Sequence, residues 1–176
     1  MDNKKVLMLI SWKDFRDEEY FVPKEYLEKK GVLVETASLF KGMAQGIEGG
    51  EALVDVKISE VKVEHYDALI ACGGPGMVKL LDNLEFQKVV KDFFVFKKII
   101  ASICIAGALL AKSKILKNKK ATVWSSEMDK SAIKILEKEG AIYQNSDIVV
   151  DGDIITVSGP KVATEFAEEI YKKLIN

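Results

Sequence analysis

An α/β fold built on an open, mostly parallel sheet covered on both faces is what this sequence predicts. Three observations lead there. Short continuous apolar runs recur along the chain, the mark of strands buried on both sides. Segments with helical spacing separate them, so strand and helix alternate. The first strand–helix–strand group closes within about 35 residues, the size of a right-handed βαβ unit.

KVLMLIS (Lys5 to Ser11) is the first buried strand, and the polar WKDFRDE after it reads as a loop. EEYFVPKEYLEKKG reads as a helix closed by Gly31, with Pro23 predicting an irregular first turn or a kink. VLVETAS (Val32 to Ser38) is the next strand. GMAQGIEGGEALVDVKI is Gly-rich with short alternating pieces and predicts a small hairpin excursion. DALIACGG (Asp67 to Gly74) is a third buried strand that runs into Gly-Gly-Pro-Gly. LEFQKVVKDFFVF (Leu84 to Phe96) has helical spacing, KIIASI (Lys98 to Ile103) is another buried strand, and an Ala/Leu-rich helix follows Cys104. ATVW (Ala121 to Trp124) reads as a short strand, with Ser126 capping a helix that ends at Gly140. Asp151-Gly152 marks a hairpin turn, and Pro160 opens the last helix. No repeat, linker or low-complexity tract interrupts this order, so residues 1–176 are expected to form a single domain.

The formal net charge of −1 points to neither nucleic acid nor membrane as a partner. Arg16 is the single arginine among 26 basic residues, so a bidentate anion clamp is expected only if Arg16 makes one. Two cysteines, Cys72 and Cys104, form neither a disulfide framework nor a zinc pattern, and no metal or cofactor is expected. The start of the chain turns polar too soon for a signal peptide. The longest apolar run, Ile99 to Ala111, is about 13 residues, short of the roughly 20 that span a bilayer. The expected location is cytoplasmic, with reduced thiols.

In sheets of this class, sites form beyond the carboxyl ends of the strands. At Cys104 a strand should pass abruptly into a helix. The small residues of Ser102-x-Cys104-x-Ala106, followed by Gly107, let the chain bend around a presented sulfur, as in the G-x-S-x-G elbow. The helix start there is expected to favour thiolate over thiol. The competing reading is a buried cysteine that fills space. The N–H groups of Gly73 and Gly74, with that of Ile105, are candidates to hold a developing oxyanion; a plain tight turn is the alternative. Of Glu18 and Glu19, one carboxylate can face Cys104, or both can form a solvated, acidic helix start.

FRDEEYFVP, DALIACGGPG, ASICIAGALLA and VVDGDIITVSGP, in this order, resemble the ThiJ/PfpI superfamily. The resemblance covers nearly the whole chain. It implies a flavodoxin-like three-layer sandwich of the class I glutamine amidotransferase type, with a nucleophile elbow, and usually a homodimer. It makes Cys104 the elbow cysteine and Glu19, four residues before Pro23, the glutamate beside it. It puts Gly73, Gly74 and the Ile105 amide in an oxyanion-type pocket. The chain also departs from the family pattern. PfpI-type members carry Cys-His at the elbow, where this chain has Cys104-Ile105. In the deglycase branch a histidine often lies on the strand that reads ATVWSS here, where Trp124 or Ser125 stands. The single histidine, His65, precedes the third strand and is expected at the surface. An arginine common in the VSGP segment is replaced by Ser158, and Cys72 stands where relatives often have proline.

The expected function is therefore a cysteine-dependent hydrolase or lyase acting on small reactive carbonyls, of the glyoxalase or deglycase type, in stress protection. Cys104 would be the nucleophile and Glu19 its proton-handling partner. The alternative is a redox-sensing or chaperone-like stress protein using the same cysteine. A PfpI-type peptidase ranks third, because Ile105 cannot act as a base. Apolar residues of the first helix (Tyr20, Phe21, Val22) are expected to contribute to a dimer surface.

Overall fold

The computed structural model describes residues 4–176. In chain order the strands are β1 (Lys5–Leu9), β2 (Lys13–Phe15), β3 (Leu33–Ser38), β4 (Gly42–Gly46), β5 (Glu51–Val54), β6 (Val56–Lys57), β7 (Ala68–Ala71), β8 (Ile99–Ile103), β9 (Lys120–Ala121), β10 (Ile142–Tyr143), β11 (Ile148–Asp151) and β12 (Ile154–Val157). The helices are α1 (Asp17–Lys29), α2 (Pro75–Val78), α3 (Leu84–Val95), α4 (Ala106–Lys112), α5 (Ser131–Lys138) and α6 (Ala163–Ile175). Seven strands form the main sheet in the order β11-β12-β8-β7-β1-β3-β6, parallel throughout except for the edge hairpin of β11 and β12. Helices cover both sides, α1 packing on α6 and α4 on α3 and α5. This is the predicted α/β architecture.

The central strands are apolar for the predicted reason. Val6 to Leu9 and Ala68 to Ala71 are all fully buried, because helices cover both of their faces. The Gly-rich excursion is the hairpin of β4 and β5, antiparallel as expected. WKDFRDE is not a simple loop, however. Its Lys13–Phe15 segment is β2, paired with β4, because Phe15 is apolar and fully buried beneath the excursion. ATVW is strand only at its start. After Ala121 the chain leaves β10, and the Thr122 N–H turns to Thr156 Oγ1 (2.9 Å). Ser126 does not cap α5. It accepts from the Asp129 N–H (3.0 Å), and Asp129 in turn accepts from the Ser131 N–H at the helix start.

The hairpin excursion fixes the start of α1. The Asp17 carboxylate, nearly buried, accepts from the N–H groups of Glu48 (2.9 Å) and Gly50 (2.6 Å) in the β4–β5 turn. One turn later Tyr20 is buried rather than outward-facing, and its hydroxyl shares a proton with Thr36 Oγ1 of β3 (2.6 Å). The expectation that Tyr20 adds to a dimer surface is therefore corrected: this chain's own sheet covers it.

Pro23 lies within α1, which continues through it to Lys29. Proline has no N–H, so the carbonyl four residues earlier, that of Glu19, loses its helical partner. The Cys72 thiol supplies the replacement, donating to the Glu19 oxygen at 3.4 Å. Cys72 is fully buried, and its thiol is pushed far up by that burial and next by the Glu19 charge, so it stays a neutral donor. Cys72→Ala should therefore leave a buried carbonyl unpaired and lower the unfolding free energy by about 1–2 kcal/mol. Cys72→Ser should recover most of that. In a Pro23→Ala background the restored N–H should shrink the penalty of Cys72→Ala, as urea titrations of the double-mutant cycle would show. Strict additivity of the two substitutions would contradict the pairing.

Candidate functional site

β1, β7 and β8 run side by side, so the segments leaving their carboxyl ends meet at one edge of the sheet. Cys104 follows β8 with φ +61°. Among the described residues four other non-glycine positions have positive φ, all exposed or half-buried, and Cys104 alone is buried. A left-handed conformation costs roughly 1–3 kcal/mol and persists only when its surroundings impose it. Here the Cys104 N–H donates to the Val157 carbonyl (2.9 Å), while its own carbonyl accepts from Trp124 and Gly107 (3.4 Å each). The abrupt strand-to-helix turn expected at Cys104 is present. Its sulfur-bearing residue is 7% exposed.

Glu19 reaches the same point from the first turn of α1. It is completely buried, and its Oε2 accepts from the Gly73 N–H at 2.8 Å. Oε1 has no hydrogen-bond partner among the described residues, and the carboxyl's remaining neighbour is the Cys104 thiol. Glycine at 73 is a steric requirement: a Cβ there would lie 2.6 Å from Glu19 Oε2 and 3.0 Å from Cys104 Cβ. Gly74 has φ +105°, and a Cβ on it would meet the Arg16 nitrogen at 2.5 Å. The Arg16 N–H itself donates to the Gly73 carbonyl (3.2 Å), lacing the start of α1 to the end of β7.

Burial pushes the Glu19 carboxyl up to about 7, against the opposing effects of the Cys104 thiol, the Gly73 N–H and the Arg16 charge. The Cys104 thiol is pushed up as well, first by burial and then by the Glu19 charge and hydrogen bond; the Ile105 N–H and Arg16 act the other way. This overturns the expectation that the helix start favours thiolate. α4 has only seven residues, and the sulfur faces a buried carboxyl. The two groups titrate as a pair. Removing one proton from the pair leaves either a carboxylate facing a thiol or a carboxylic acid facing a thiolate.

In front of Cys104 lies a pocket of about 370 Å³ whose lining includes Arg16, Gly74, Pro75, Ile105, Trp124 and Ile135. Glu19 is not on its wall. The structure thus brings Cys104, Glu19, Gly73, Gly74 and Ile105 together, with one change of part. The Gly73 N–H is committed to Glu19, so it does not serve an oxyanion as expected. Gly74 and Ile105 border the pocket itself.

Arg16 lines this pocket; the sequence marked it only as the one residue able to make a bidentate anion clamp and did not place it beside Cys104. The available signal was its being the only arginine in a lysine-rich chain, two residues before the acidic pair. Trp124 stands beside Cys104, where an imidazole would be needed for a Cys-His dyad. His65 is exposed and precedes β7, at the opposite end of the sheet. Ser158 is bonded to Asp147 (2.7 Å) rather than to the cysteine. Cys72 turns its sulfur to the Glu19 carbonyl, and both cysteines are free thiols. Among the described residues no three His, Cys, Asp or Glu side chains cluster as metal ligands, and no helix is long and apolar enough to cross a membrane.

The sequence pattern of the DJ-1/PfpI family matches residues 4–173. An uncharacterised protein of Methanocaldococcus jannaschii is 39% identical over 175 residues, spanning 99% of this chain and 84% of that protein. The deglycase PfpI of Pyrococcus furiosus is 26% identical over 168 residues, 96% of this chain and 98% of its own. Among solved structures, a ThiJ/PfpI domain protein from Brachyspira murdochii superposes with a TM-score of 0.92 at 31% identity, covering 99% of this chain and 98% of that one.

The raised Glu19 pKa has a consequence for stability. A carboxyl that ionises at about 4.5 when unfolded and about 7 when folded costs nothing at low pH, where both states are protonated. As pH rises from 4.5 through 7, folding comes to oppose ionisation, and the accumulated penalty approaches about 3 kcal/mol. Glu19→Gln keeps an acceptor for the Gly73 N–H and cannot ionise. Urea unfolding at a series of pH values should show Glu19→Gln gaining on the wild type by about 2–3 kcal/mol above neutrality, with the gain fading toward pH 4.5. A gain that does not vary with pH would contradict the shifted carboxyl.

Proposed function

This chain belongs to the DJ-1/PfpI family, and from that premise we propose that it is a cysteine-dependent enzyme acting on small reactive carbonyl compounds, of the glyoxalase and deglycase type. The observation that carries this reading is the fully buried Glu19 carboxyl beside the elbow cysteine Cys104, which faces a small pocket with no histidine among its lining residues. Two relatives, from Pyrococcus furiosus and Thermococcus kodakarensis, are named deglycases. In this reading residues 1–176 work as one domain, within a homodimer and in the cytoplasm.

The chemistry needs only groups at the site. Cys104 Sγ bonds to the aldehyde carbon of a 2-oxoaldehyde such as methylglyoxal, and the thiol proton passes to Glu19 and on to the new alkoxide. The amides of Gly74 and Ile105 border the pocket where that oxygen would develop charge. The thiohemiacetal carbon reaches past the sulfur to Glu19, behind the pocket wall, and gives up its proton; Glu19 returns that proton to the neighbouring carbonyl carbon while the hydroxyl proton moves to that carbon's oxygen. This leaves a 2-hydroxy thioester, with no net oxidation. Water cleaves the thioester to a 2-hydroxy acid and restores the thiol. A carboxyl that ionises at about 7 is matched to both halves of this transfer at neutral pH. Peptide hydrolysis is a poorer match, since the departing amine needs an acid of imidazole type on the pocket side and Trp124 stands there.

A redox-sensing role for Cys104 is the second reading, favoured by one contrast: Cys104 faces the pocket, while Cys72 is fully buried and engaged with Glu19. The two readings separate in one set of measurements. Wild-type protein should convert methylglyoxal to lactate, Cys104→Ala should not, and Glu19→Gln should lose at least about 100-fold in rate. Oxidation at Cys104 by graded peroxide, without turnover of any carbonyl, would replace the enzymatic reading with the redox one. Turnover that survives Cys104→Ala would overturn both.

A further inference from the structure

We infer that Arg16 sets the substrate class of this pocket: it receives small oxo-carboxylates, such as glyoxylate, whose carboxylate pairs with the Arg16 guanidinium while the carbonyl carbon meets Cys104 Sγ. This rests on Cys104 being the reactive thiol, and it adds the residue that selects the substrate.

The first observation is chemical identity. Apart from His65, every other basic side chain in the protein is lysine, and the one arginine lies on the wall of the pocket that contains the elbow cysteine. A guanidinium presents a planar fork of donors that matches a carboxylate in a way an ammonium does not. The second is that this fork is unsatisfied. Arg16 Nε is buried and has no partner among the described residues. Among the described residues its single acidic neighbour within ion-pair range, Glu48, stands 4.0 Å from the terminal nitrogen, beyond hydrogen-bond length, and both side chains are partly exposed. Such a pair contributes little and yields readily to a better-placed carboxylate.

The third observation is the rest of the wall. Pro75, Val78, Leu81 and Ile135 are apolar, so the polar groups on the wall are few: Arg16, the Cys104 sulfur, the Gly74 and Ile105 backbone, Trp124 with its indole N–H, Asp129 and Ser131. Asp129 is exposed and turned to the Ser131 N–H at 2.8 Å. Arg16 is the one cationic group on this wall, and the one acidic group, Asp129, is engaged with the Ser131 N–H, so the Arg16 side of the pocket favours an anion. The Arg16 charge also acts on both Cys104 and Glu19, so it reaches the reacting atoms. The covalent step is a simple addition. The S–C bond forms, the carbonyl double bond becomes a C–O single bond, and the thiol proton ends on that oxygen, giving a thiohemiacetal without oxidant or reductant.

Iodoacetate and iodoacetamide test this without relying on turnover, because they differ chiefly in charge and both alkylate thiols with loss of iodide. Rates of labelling at Cys104, located by peptide mass spectrometry at one pH, give a ratio that cancels differences in thiol reactivity between variants. The iodoacetate-to-iodoacetamide ratio should fall about fivefold in Arg16→Gln and by less in Arg16→Lys, which keeps the charge and loses the fork. Glyoxylate should protect wild-type Cys104 from iodoacetamide and fail to protect Arg16→Gln. An unchanged ratio with Cys104 still labelled would overturn the role of Arg16 and leave the reactive thiol standing. Absence of labelling by either reagent, in protein whose cysteines react once unfolded, would overturn the reactive thiol and this inference with it.

Discussion

The hydrogen bond from the Gly73 N–H to Glu19 Oε2, 2.8 Å long, joins the end of β7 to the first turn of α1 and holds a carboxyl group away from water against the elbow cysteine. A buried carboxyl is expensive unless it is protonated or well paired. Much of the structure around it fixes the helix turn that carries this carboxyl. Asp17 ties the helix start to the β4–β5 turn, Tyr20 anchors the same turn of helix to β3, and Arg16 closes the loop back onto the Gly73 carbonyl. The small three-stranded excursion is thus part of the site's support, although none of the residues of β2, β4 or β5 lines the pocket.

Two departures from regular geometry are absorbed by neighbours rather than relaxed. Pro23 removes a helical donor, and the Cys72 thiol from the adjoining strand end replaces it. Cys104 adopts a left-handed backbone that its own side chain disfavours, and β12, the segment at Trp124 and Gly107 of α4 hold it there through three backbone hydrogen bonds. In both cases the strain falls within a few ångströms of Glu19. Consistency elsewhere, in the apolar strands and the amphipathic helices, is what makes such local violations tolerable.

The sheet, the helix order, the edge hairpin at Asp151-Gly152 and the elbow at Cys104 were legible in the sequence, because burial on both faces writes continuous apolar runs and abrupt turns write small residues. β2 was not legible: three residues of mixed polarity carry no period, and only Phe15 betrays that the segment is covered. The partner of Glu19 was half legible. Its nearness to Cys104 followed from family resemblance, but the capture of the Gly73 N–H depends on a side-chain direction that spacing does not encode. The sign of the Cys104 shift was missed for a related reason. A helix start can be read from sequence, whereas desolvation by Glu19 and the pocket walls depends on packing between elements far apart in the chain. Arg16 was visible only as a compositional oddity, and Cys72 as an unusual residue whose purpose required seeing Pro23 across from it.

The account stands or falls on whether Glu19 shares its proton with Cys104. The most direct measurement is a pH titration of the Glu19 carboxyl carbon by NMR in wild type and in Cys104→Ala, with Glu19→Gln identifying the signal. A wild-type midpoint near 7 is predicted, moving upward in Cys104→Ala, since the neighbouring Cys104 thiol is the largest influence holding that carboxyl down. A midpoint near the ordinary 4.5, or one unmoved by loss of the sulfur, would contradict it.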